Sequence, residues 1–427
     1  MMNFSFIHAA DLHLGSPFVG LGTADPKLAD LMTSASRDAL DDLVTQAMEL
    51  RVAFFVIAGD VYDGDWKDTT IGLFFHSQMS RLERAGIPVF LVRGNHDAES
   101  VITKAVRSPK AVRTFDHHKV QSLELPDLKV VLHGQSFSTR AVTTDLAAGY
   151  PAARPGWFNV GVLHTSCDNR PGHDNYAPCS LEELVQRGYQ YWALGHVHSF
   201  EVLNEHPHIV YAGNLQGRNA RECGDKGAVL VEVEDNEVSS LKRLPVSRVC
   251  WASLTIDLSD IKTEDEAFES YRQAISNEVT RSHQLPLICR VSIVGATPMH
   301  RHLHEDRGRL RDELKAAADQ CREDIWLEDV RLATSEPITV HGAQANATGI
   351  DLSAMLSHIL SSLELFDEAK AELHTITSKM PTAALAAELS DERIPCHRRA
   401  PYPKPESVDA SGRRALSTPH RRELRRS

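Results

Sequence analysis

The chain has 427 residues, of which 42% are hydrophobic and 24% charged, and its formal net charge is −12. This length exceeds one comfortable core and predicts two or three domains, while the acidic total excludes a uniformly basic nucleic-acid surface and leaves room only for a local one. No apolar run approaches the ~18 residues of a membrane span. The N-terminal MMNFSFIHAADLH lacks a basic region followed by a long apolar stretch, so no signal peptide, no membrane contact and a cytoplasmic location are expected.

Along the first half, short runs rich in Val, Ile and Phe have the length of buried strands: FSFIHA (4–9), FFVIAG (54–59), PVFLVRG (88–94), KVVLHG (129–134), NVGVLH (159–164), YWALG (191–195), IVYAG (209–213) and AVLVEV (228–233). Between the early runs, Leu40, Leu43, Val44, Ala47 and Met48 form one helical stripe, and Ile71, Phe74, Phe75, Met79 and Leu82 form another. Strands alternating with helices, then strands joined by loops, predict a layered α/β fold with two packed sheets. Residues 138–158 read as a long loop or lid. Near residue 246 the pattern changes. WASLTIDL alternates, Thr263 with Glu266 predicts a capping box opening a helix to about 281, PLICRVSIV is a strand, 303–320 is helical and IWLEDVRLA is a third strand. This is a small βαβαβ domain, expected over 246–341 after a first domain over 1–245. GAQANATG (342–349) reads as a linker. Leu352, Met355, Leu356, Ile359, Leu360 and Leu363 then mark an amphipathic helix in a helical segment over 350–390, suited to docking a partner. Residues 391–427 are expected to be a disordered basic tail, since nine Lys/Arg face three Asp/Glu after Ile394.

The strand ends carry the chemistry. The first ends HAADLHLG, with Asp11 and His13; the second ends AGDVYDGD, with Asp60; the third ends RGNHD, with Asn95, His96 and Asp97. Later strands end GVLHTSCD, with His164, and ALGHVH, with His196 and His198. Ligands of open α/β sheets sit beyond the carboxyl ends of strands, so these residues should converge on one rim. Aspartate, asparagine and histidine together suit Mn²⁺, Fe²⁺ or Zn²⁺ better than an all-oxygen Mg²⁺ or Ca²⁺ site. Seven candidate ligands are too many for one ion and fit two sharing a carboxylate. The seven cysteines are odd in number with no C-x-x-C pair, which points to reduced thiols and away from a thiolate metal site.

The series D-x-H, GD-x-x-D, GNHD, H, GH-x-H, with the words FIHAADLHLG, FFVIAGDVYD, ALGHVH and YAGNLQGR, resembles the calcineurin-like metallophosphoesterases, in the branch of SbcD-like and YhaO-like DNA repair exonucleases. The resemblance covers about residues 4–235 by motif and the remainder only by order and size. It implies a four-layer αββα sandwich with a small α/β capping domain and C-terminal helices. It implies that Asp11, His13, Asp60 and His198 hold one metal and that Asp60, Asn95, His164 and His196 hold the other, Mn²⁺ foremost. His96 would be the catalytic acid over the phosphate and Asp97 would hold its imidazole. The implied activity is hydrolysis of DNA phosphodiester bonds by a two-metal-activated water. The implied partners are DNA, an SMC-like coiled-coil ATPase of the SbcC type docked by the C-terminal helices, and a second copy as homodimer. Related nucleases carry a second active-site histidine three residues after the bridging aspartate; here Asp63 stands there, which leaves the exo- versus endonuclease balance open. Asp63 and Asp65 are expected to order their loop. Two other readings compete: a phosphodiesterase of small molecules, and a weakly active scaffold subunit of the ATPase. His8 is expected in the core, and His117, His118, His206 and His208 in loops. His133 ends a strand outside the signature. Arg218 is expected in a salt bridge or on a substrate phosphate, and Trp157 and Tyr176 in packing or base stacking.

Overall fold

The computed structural model describes residues 3–16, 26–63, 69–98, 109–168 and 174–337. The expected linker, C-terminal helices and basic tail, and Asp65, lie outside the described residues.

Strands β1 (Phe4–Ala9), β2 (Phe54–Ala58) and β3 (Val89–Val92) run parallel, with their apolar residues buried on both faces. They form a six-stranded sheet in the order β12-β11-β1-β2-β3-β4, completed by β4 (Val112–Thr114), β11 (Gly227–Glu234) and β12 (Glu237–Pro245). Its outer face is covered by α1 (Pro26–Glu49), which opens on a proline suited to the first helical turn, and by α2 (Thr69–Arg84). Leu40, Leu43, Val44 and Ala47 of α1 join Ile71, Phe75, Met79 and Leu82 of α2 and Ile7, Phe55 and Ile57 of the sheet in one core.

The second sheet has the order β5-β6-β7-β8-β10-β9, built from β5 (Gln121–Leu125), β6 (Val130–Gly134), β7 (Phe158–His164), β8 (Tyr191–Gly195), β9 (Glu201–Glu205) and β10 (His208–Tyr211). The two sheets face each other through Phe6, Phe54, Phe90, Phe158, Val160, Val162 and Tyr191. Phe6 stacks on Phe54 with centroids 4.6 Å apart and meets Tyr191 edge-on at 5.3 Å. Behind the second sheet lie the helix Leu181–Gln186 and the connection 138–158. That connection is no open lid. Tyr150 is buried, donates to Val162 O at 2.7 Å, and its carbonyl accepts from Arg187 at 2.8 Å. The layers are therefore the four of an αββα sandwich.

The strands β4, β5, β9 and β12 have no counterpart in the sequence reading. Each begins or ends a sheet, and each is short or half-exposed with alternating polar residues, so none shows the continuous apolar run of a central strand. His208 opens β10 and is a strand residue, contrary to its expected loop position.

After residue 249, β13 (Cys250–Asp257), β14 (Leu287–Ala296) and β15 (Ile325–Ser335) form a parallel three-stranded sheet. The helix Glu264–Arg281 opens on the capping box, Thr263 Oγ1 accepting from Glu266 N and Glu266 returning to Thr263 N, both at 3.3 Å. The helical stretch read as one over 303–320 is two helices, His300–Glu305 and Arg307–Cys321. Asp306 interrupts it and caps the second by accepting from Arg309 N at 2.9 Å. The opposite face of this sheet sets Trp251 and Ile288 against Leu28, Met32 and Ala35 of α1.

His8 lies between the two large sheets, fully buried. Its Nε2–H donates to Leu194 O at 3.2 Å, so Nδ1 accepts from the Tyr191 hydroxyl at 2.9 Å and the ring is neutral. Burial, only partly opposed by the Leu194 carbonyl, takes its pKa from 6.5 down to about 3. The unfolded chain takes up this proton first, so the contribution of His8 is complete above pH 6.5 and is lost as pH falls toward 3. The loss reaches about 1.4 kcal/mol per pH unit well below 6.5. Urea unfolding between pH 7.5 and 5 should show this slope, and His8→Gln should reduce proton uptake on unfolding by up to one; an unchanged slope refutes the assignment.

Candidate metal centre

The parallel strands β1, β2 and β3 of one sheet and β7 and β8 of the other end at one rim. Asp11 and His13 follow β1, Asp60 follows β2, and Asn95, His96 and Asp97 open a single helical turn, Asn95–Ala98, after β3. His164 is the last residue of β7, and His196 and His198 follow β8. The backbone is bent to aim them. Asp11, His13, Asp60 and His196 have φ of 50°, 40°, 53° and 99°, a region that side chains avoid at about 1–3 kcal/mol each. The bends are held by Asp11 N on Gly59 O and His13 N on Asp60 O, both 3.0 Å. Close approach demands glycine at two of these turns: a Cβ on Gly94 would lie 2.3 Å from Asp60 Oδ1, and one on Gly195 would lie 1.9 Å from Ala58 O.

Two clusters result. In the first, Asp11, His13 and His198 place ligand atoms within 4.8 Å of one another, and His13 Nε2 faces His198 Nε2 at 3.1 Å. In the second, Asp11, Asp60 and His164 do the same, and His164 Nε2 faces Asn95 Oδ1 at 3.0 Å. Asp60 Oδ2 lies between them, 3.4 Å from His164 Nε2 and 3.9 Å from His13 Nε2. His196 stands at the edge of the second cluster, its ring 5.3 Å from that of His164. Its Nε2–H donates to Asp174 O at 2.8 Å, which leaves Nδ1 as its ligand nitrogen. His96 was not expected among ligands, yet a ring nitrogen falls within the same 4.8 Å of His13 and Asp60 ligand atoms.

The donor chemistry fits divalent cations. His164 Nδ1–H donates to Ala58 O at 2.9 Å, so the Nε2 lone pair of the neutral ring points at two further acceptors, Asn95 Oδ1 and Asp60 Oδ2. Three electron-rich atoms facing one point require a positive charge there. Without a metal the proton fills this need: burial opposes the charge, but Asp60 outweighs it and raises the His164 pKa to about 9. His198 Nδ1–H donates to Glu222 at 2.9 Å, which turns its Nε2 lone pair toward the first cluster in the same way. Asp11 is fully buried, and burial pushes its carboxyl above the usual range despite His198 and His164. Cations at these points would satisfy both carboxylates at once.

The expectation that Asp97 holds the His96 imidazole is corrected here. The Asp97 carboxylate turns inward and accepts from Val61 N at 3.0 Å, Tyr62 N at 3.1 Å and Gly94 N at 3.2 Å. Burial and the charge of Asp60 raise its pKa to about 6 against these donors. It braces the turns after β2 and β3. The partner of His96 is Asp63, whose Oδ1 is 2.9 Å from His96 Nδ1. Asp63 also accepts from the Ser16 hydroxyl at 2.7 Å. Burial lowers the His96 pKa, but Asp63 and Asp60 together raise it by more, so the ring is held toward its protonated form.

Glu222 is the other residue that sequence reasoning missed. It accepts from His198 Nδ1, from Asn214 Nδ2 at 2.7 Å and from Arg218 N at 2.9 Å. Arg218 forms the salt bridge expected of it, with Glu222 at 3.2 Å. His133 belongs to a separate network with Ser122 and Asn159. Trp157 is covered by the Arg154 guanidinium at 3.7 Å, while the Tyr176 ring lies 5.7 Å from that of His196 at the rim.

If Glu222 orients His198 for a metal, Glu222→Gln should weaken Mn²⁺ binding about 10- to 100-fold. Asp60→Asn, at the shared position, should abolish one equivalent or more. Calorimetric Mn²⁺ titration with elemental analysis checks both, and a Glu222→Gln protein with wild-type affinity shows the carboxylate to be a loop strut only.

Residues 4–200 match the calcineurin-like phosphoesterase family, and residues 251–335 match the middle domain of metallophosphoesterase YhaO. The uncharacterized metallophosphoesterase YhaO of Bacillus subtilis is 30% identical over 340 residues, 76% of this chain and 81% of that protein. The DNA double-strand break repair protein Mre11 of Sulfurisphaera tokodaii is 20% identical over 62% of this chain and 68% of its own length. That of Thermoplasma acidophilum is 23% identical over 57% and 65%. With the ligand-bearing strand ends inside the matched region and the small sheet inside the second, the chain belongs to the calcineurin-like metallophosphoesterases, a family of divalent-metal hydrolases, and within it to the relatives of YhaO.

Proposed function

We propose that this protein hydrolyses phosphodiester bonds of DNA, as an exonuclease or endo/exonuclease of repair, with two divalent ions, Mn²⁺ foremost. The observation that carries the reading is the meeting of two ligand clusters, with Asp11 in both and Asp60 Oδ2 3.4 Å from His164 Nε2 and 3.9 Å from His13 Nε2, and with His96 beside them. Asp11, His13, Asp60 and His198 would hold one ion, and Asp60, Asn95, His164 and His196 the other. The DNA part of the reading is supported by the names of the Mre11 relatives, which are DNA double-strand break repair proteins.

Divalent ions at these ligands supply a nucleophilic water and offset charge on the phosphoryl oxygens. The chain does the rest. His96 is held by its backbone N–H on Asp60 Oδ1 at 3.0 Å, and its Nδ1 stands 2.9 Å from Asp63 Oδ1 as an ion pair. Nε2 is then the nitrogen that delivers a proton to the leaving oxygen. The Asp63 carboxylate beside Nδ1 would favour the protonated ring. Asp97, inside the fold, keeps the turn that carries Asn95 and His96 from shifting.

On this reading residues 1–245 are the catalytic domain and 246–341 a capping domain that shapes access of DNA. The segment 350–390 would dock an SMC-like coiled-coil ATPase, in a complex whose catalytic subunit is a homodimer. Among the described residues no helix is long and apolar enough to cross a membrane.

End-labelled linear duplex and single-stranded DNA should be shortened in Mn²⁺ and untouched in chelator. His96→Ala should lower kcat about 10²- to 10⁴-fold with its metal retained, whereas Asp60→Asn should fail by losing metal. Cleavage of bis(p-nitrophenyl) phosphate with no DNA cleavage would sink the DNA reading and leave a small diester as substrate.

A further inference from the structure

Arg218 sits in the segment between Asn214 and Glu222, on the His198 side of the centre. It is bound at one end only. Its backbone N donates to Glu222 Oε2 at 2.9 Å, and Nη2 reaches Glu222 Oε1 at 3.2 Å. Nη2 also lies 3.2 Å from His198 Nδ1, which places the guanidinium against the back of a ligand histidine. Nη1 is 3.8 Å from Asp63 Oδ2, beyond hydrogen-bond reach, and Nε is buried with no acceptor. A guanidinium carries five donors, and here most of them are unspent although only 20% of the side chain is exposed. Such an arrangement is costly unless an anion completes it. Both carboxylates near it are already engaged, Glu222 by His198 and Asp63 by His96.

The segment is also held rigidly from behind. Trp251 Nε1 donates to Gly217 O at 2.9 Å, Gln216 Nε2 donates to Val249 O at 2.8 Å, and Gly224 N donates to Trp251 O at 3.2 Å. Arg218 is therefore a fixed cation. It faces Asp63 and His198, and among the described residues its Nη1 and Nε donors make no hydrogen bond.

We infer that Arg218 contacts the substrate directly, its Nη1 end donating to a non-bridging oxygen of the phosphoryl group bound beside His96. This rests on the phosphodiester-hydrolysis reading and adds to it a named phosphate-binding residue. Planarity and permanent charge suit arginine to this contact, and lysine would supply the charge without the fork.

The test is binding of inorganic phosphate to Mn²⁺-loaded protein by calorimetry, comparing wild type with Arg218→Gln and Arg218→Lys, with Mn²⁺ content and thermal melting measured for each. The expected result is affinity roughly 10- to 100-fold weaker in Arg218→Gln, intermediate in Arg218→Lys, with metal content and melting kept. Equal phosphate affinity in Arg218→Gln overturns the inference. So does loss of Mn²⁺ in Arg218→Gln, which would make the arginine a strut acting through Glu222 and His198. Wild type that holds Mn²⁺ yet neither binds phosphate nor cleaves bis(p-nitrophenyl) phosphate removes the hydrolase reading itself, a failure distinct from one confined to Arg218.

Discussion

Two aspartates, Asp11 and Asp60, are buried side by side at the ends of neighbouring strands, and the rest of the rim answers to that fact. A buried carboxylate is expensive, and a second one nearby makes it more so. Asp11 is pushed upward by burial, while Asp60 is held low by His164 despite its burial. The chain meets the cost locally with backbone donors, His196 N on both oxygens of Asp11 and His96 N on Asp60. Those donors are not enough to neutralise the pair. The imidazoles that turn lone pairs toward the same points show that the missing charge is meant to come from outside the chain. The positive φ of Asp11, His13, Asp60 and His196 and the glycines with no room for a Cβ accompany the same convergence of strand ends.

Around this centre stands a second layer of carboxylates whose function is geometric. Asp97 locks two turns together, Asp63 fixes His96, and Glu222 fixes His198. Asp97 and Glu222 act through hydrogen bonds, to backbone N–H groups and to the His198 ring, while Asp63 acts through its charge beside His96. The segment carrying Glu222 and Arg218 is tied to Trp251 at the start of the small sheet. Its position is thus set by packing of Trp251 and Ile288 on α1 as much as by the two large sheets. The small sheet is coupled to the centre by rigid hydrogen bonds at a short distance, which gives it a physical route to influence the ligand His198.

The first layer was legible in the sequence because strand and ligand are adjacent there. An apolar run that stops at a glycine and then at Asp, His or Asn announces both the strand and its C-terminal chemistry, as FFVIAGD and YWALGH do. The second layer was not legible, because its partners meet only on folding: His96 with Asp63 and His198 with Glu222 are joined by contact across turns, with no local pattern. Asp97 was misread for the converse reason. It follows His96 directly, but both lie on one helical turn, and successive residues of a helix point about 100° apart. Adjacency in sequence guaranteed that the two side chains would diverge. The edge strands escaped for a third reason, since a half-exposed strand such as QSLEL carries too little apolar signal to stand out from a loop.

A net charge of −12 opposes a polyanionic substrate on average. The field that matters is the one at the rim, within about a Debye length of 8–10 Å. There the ligand aspartates bring two negative charges, and on the two-ion reading the metals bring four positive, which leaves two in excess before Arg218 is counted. Asp63 and Glu222 are each paired with a histidine and add little at the phosphate. On that reading the loaded centre would attract phosphate more strongly than the empty one, where protonated His164 and Arg218 offset the two aspartates. On the proposed reading an acidic chain with such a centre would attract a phosphodiester through its metals, and affinity for DNA away from the rim would come from local basic patches or from a partner. Metal loading would then control both chemistry and substrate capture, because the same ions would supply the charge for each.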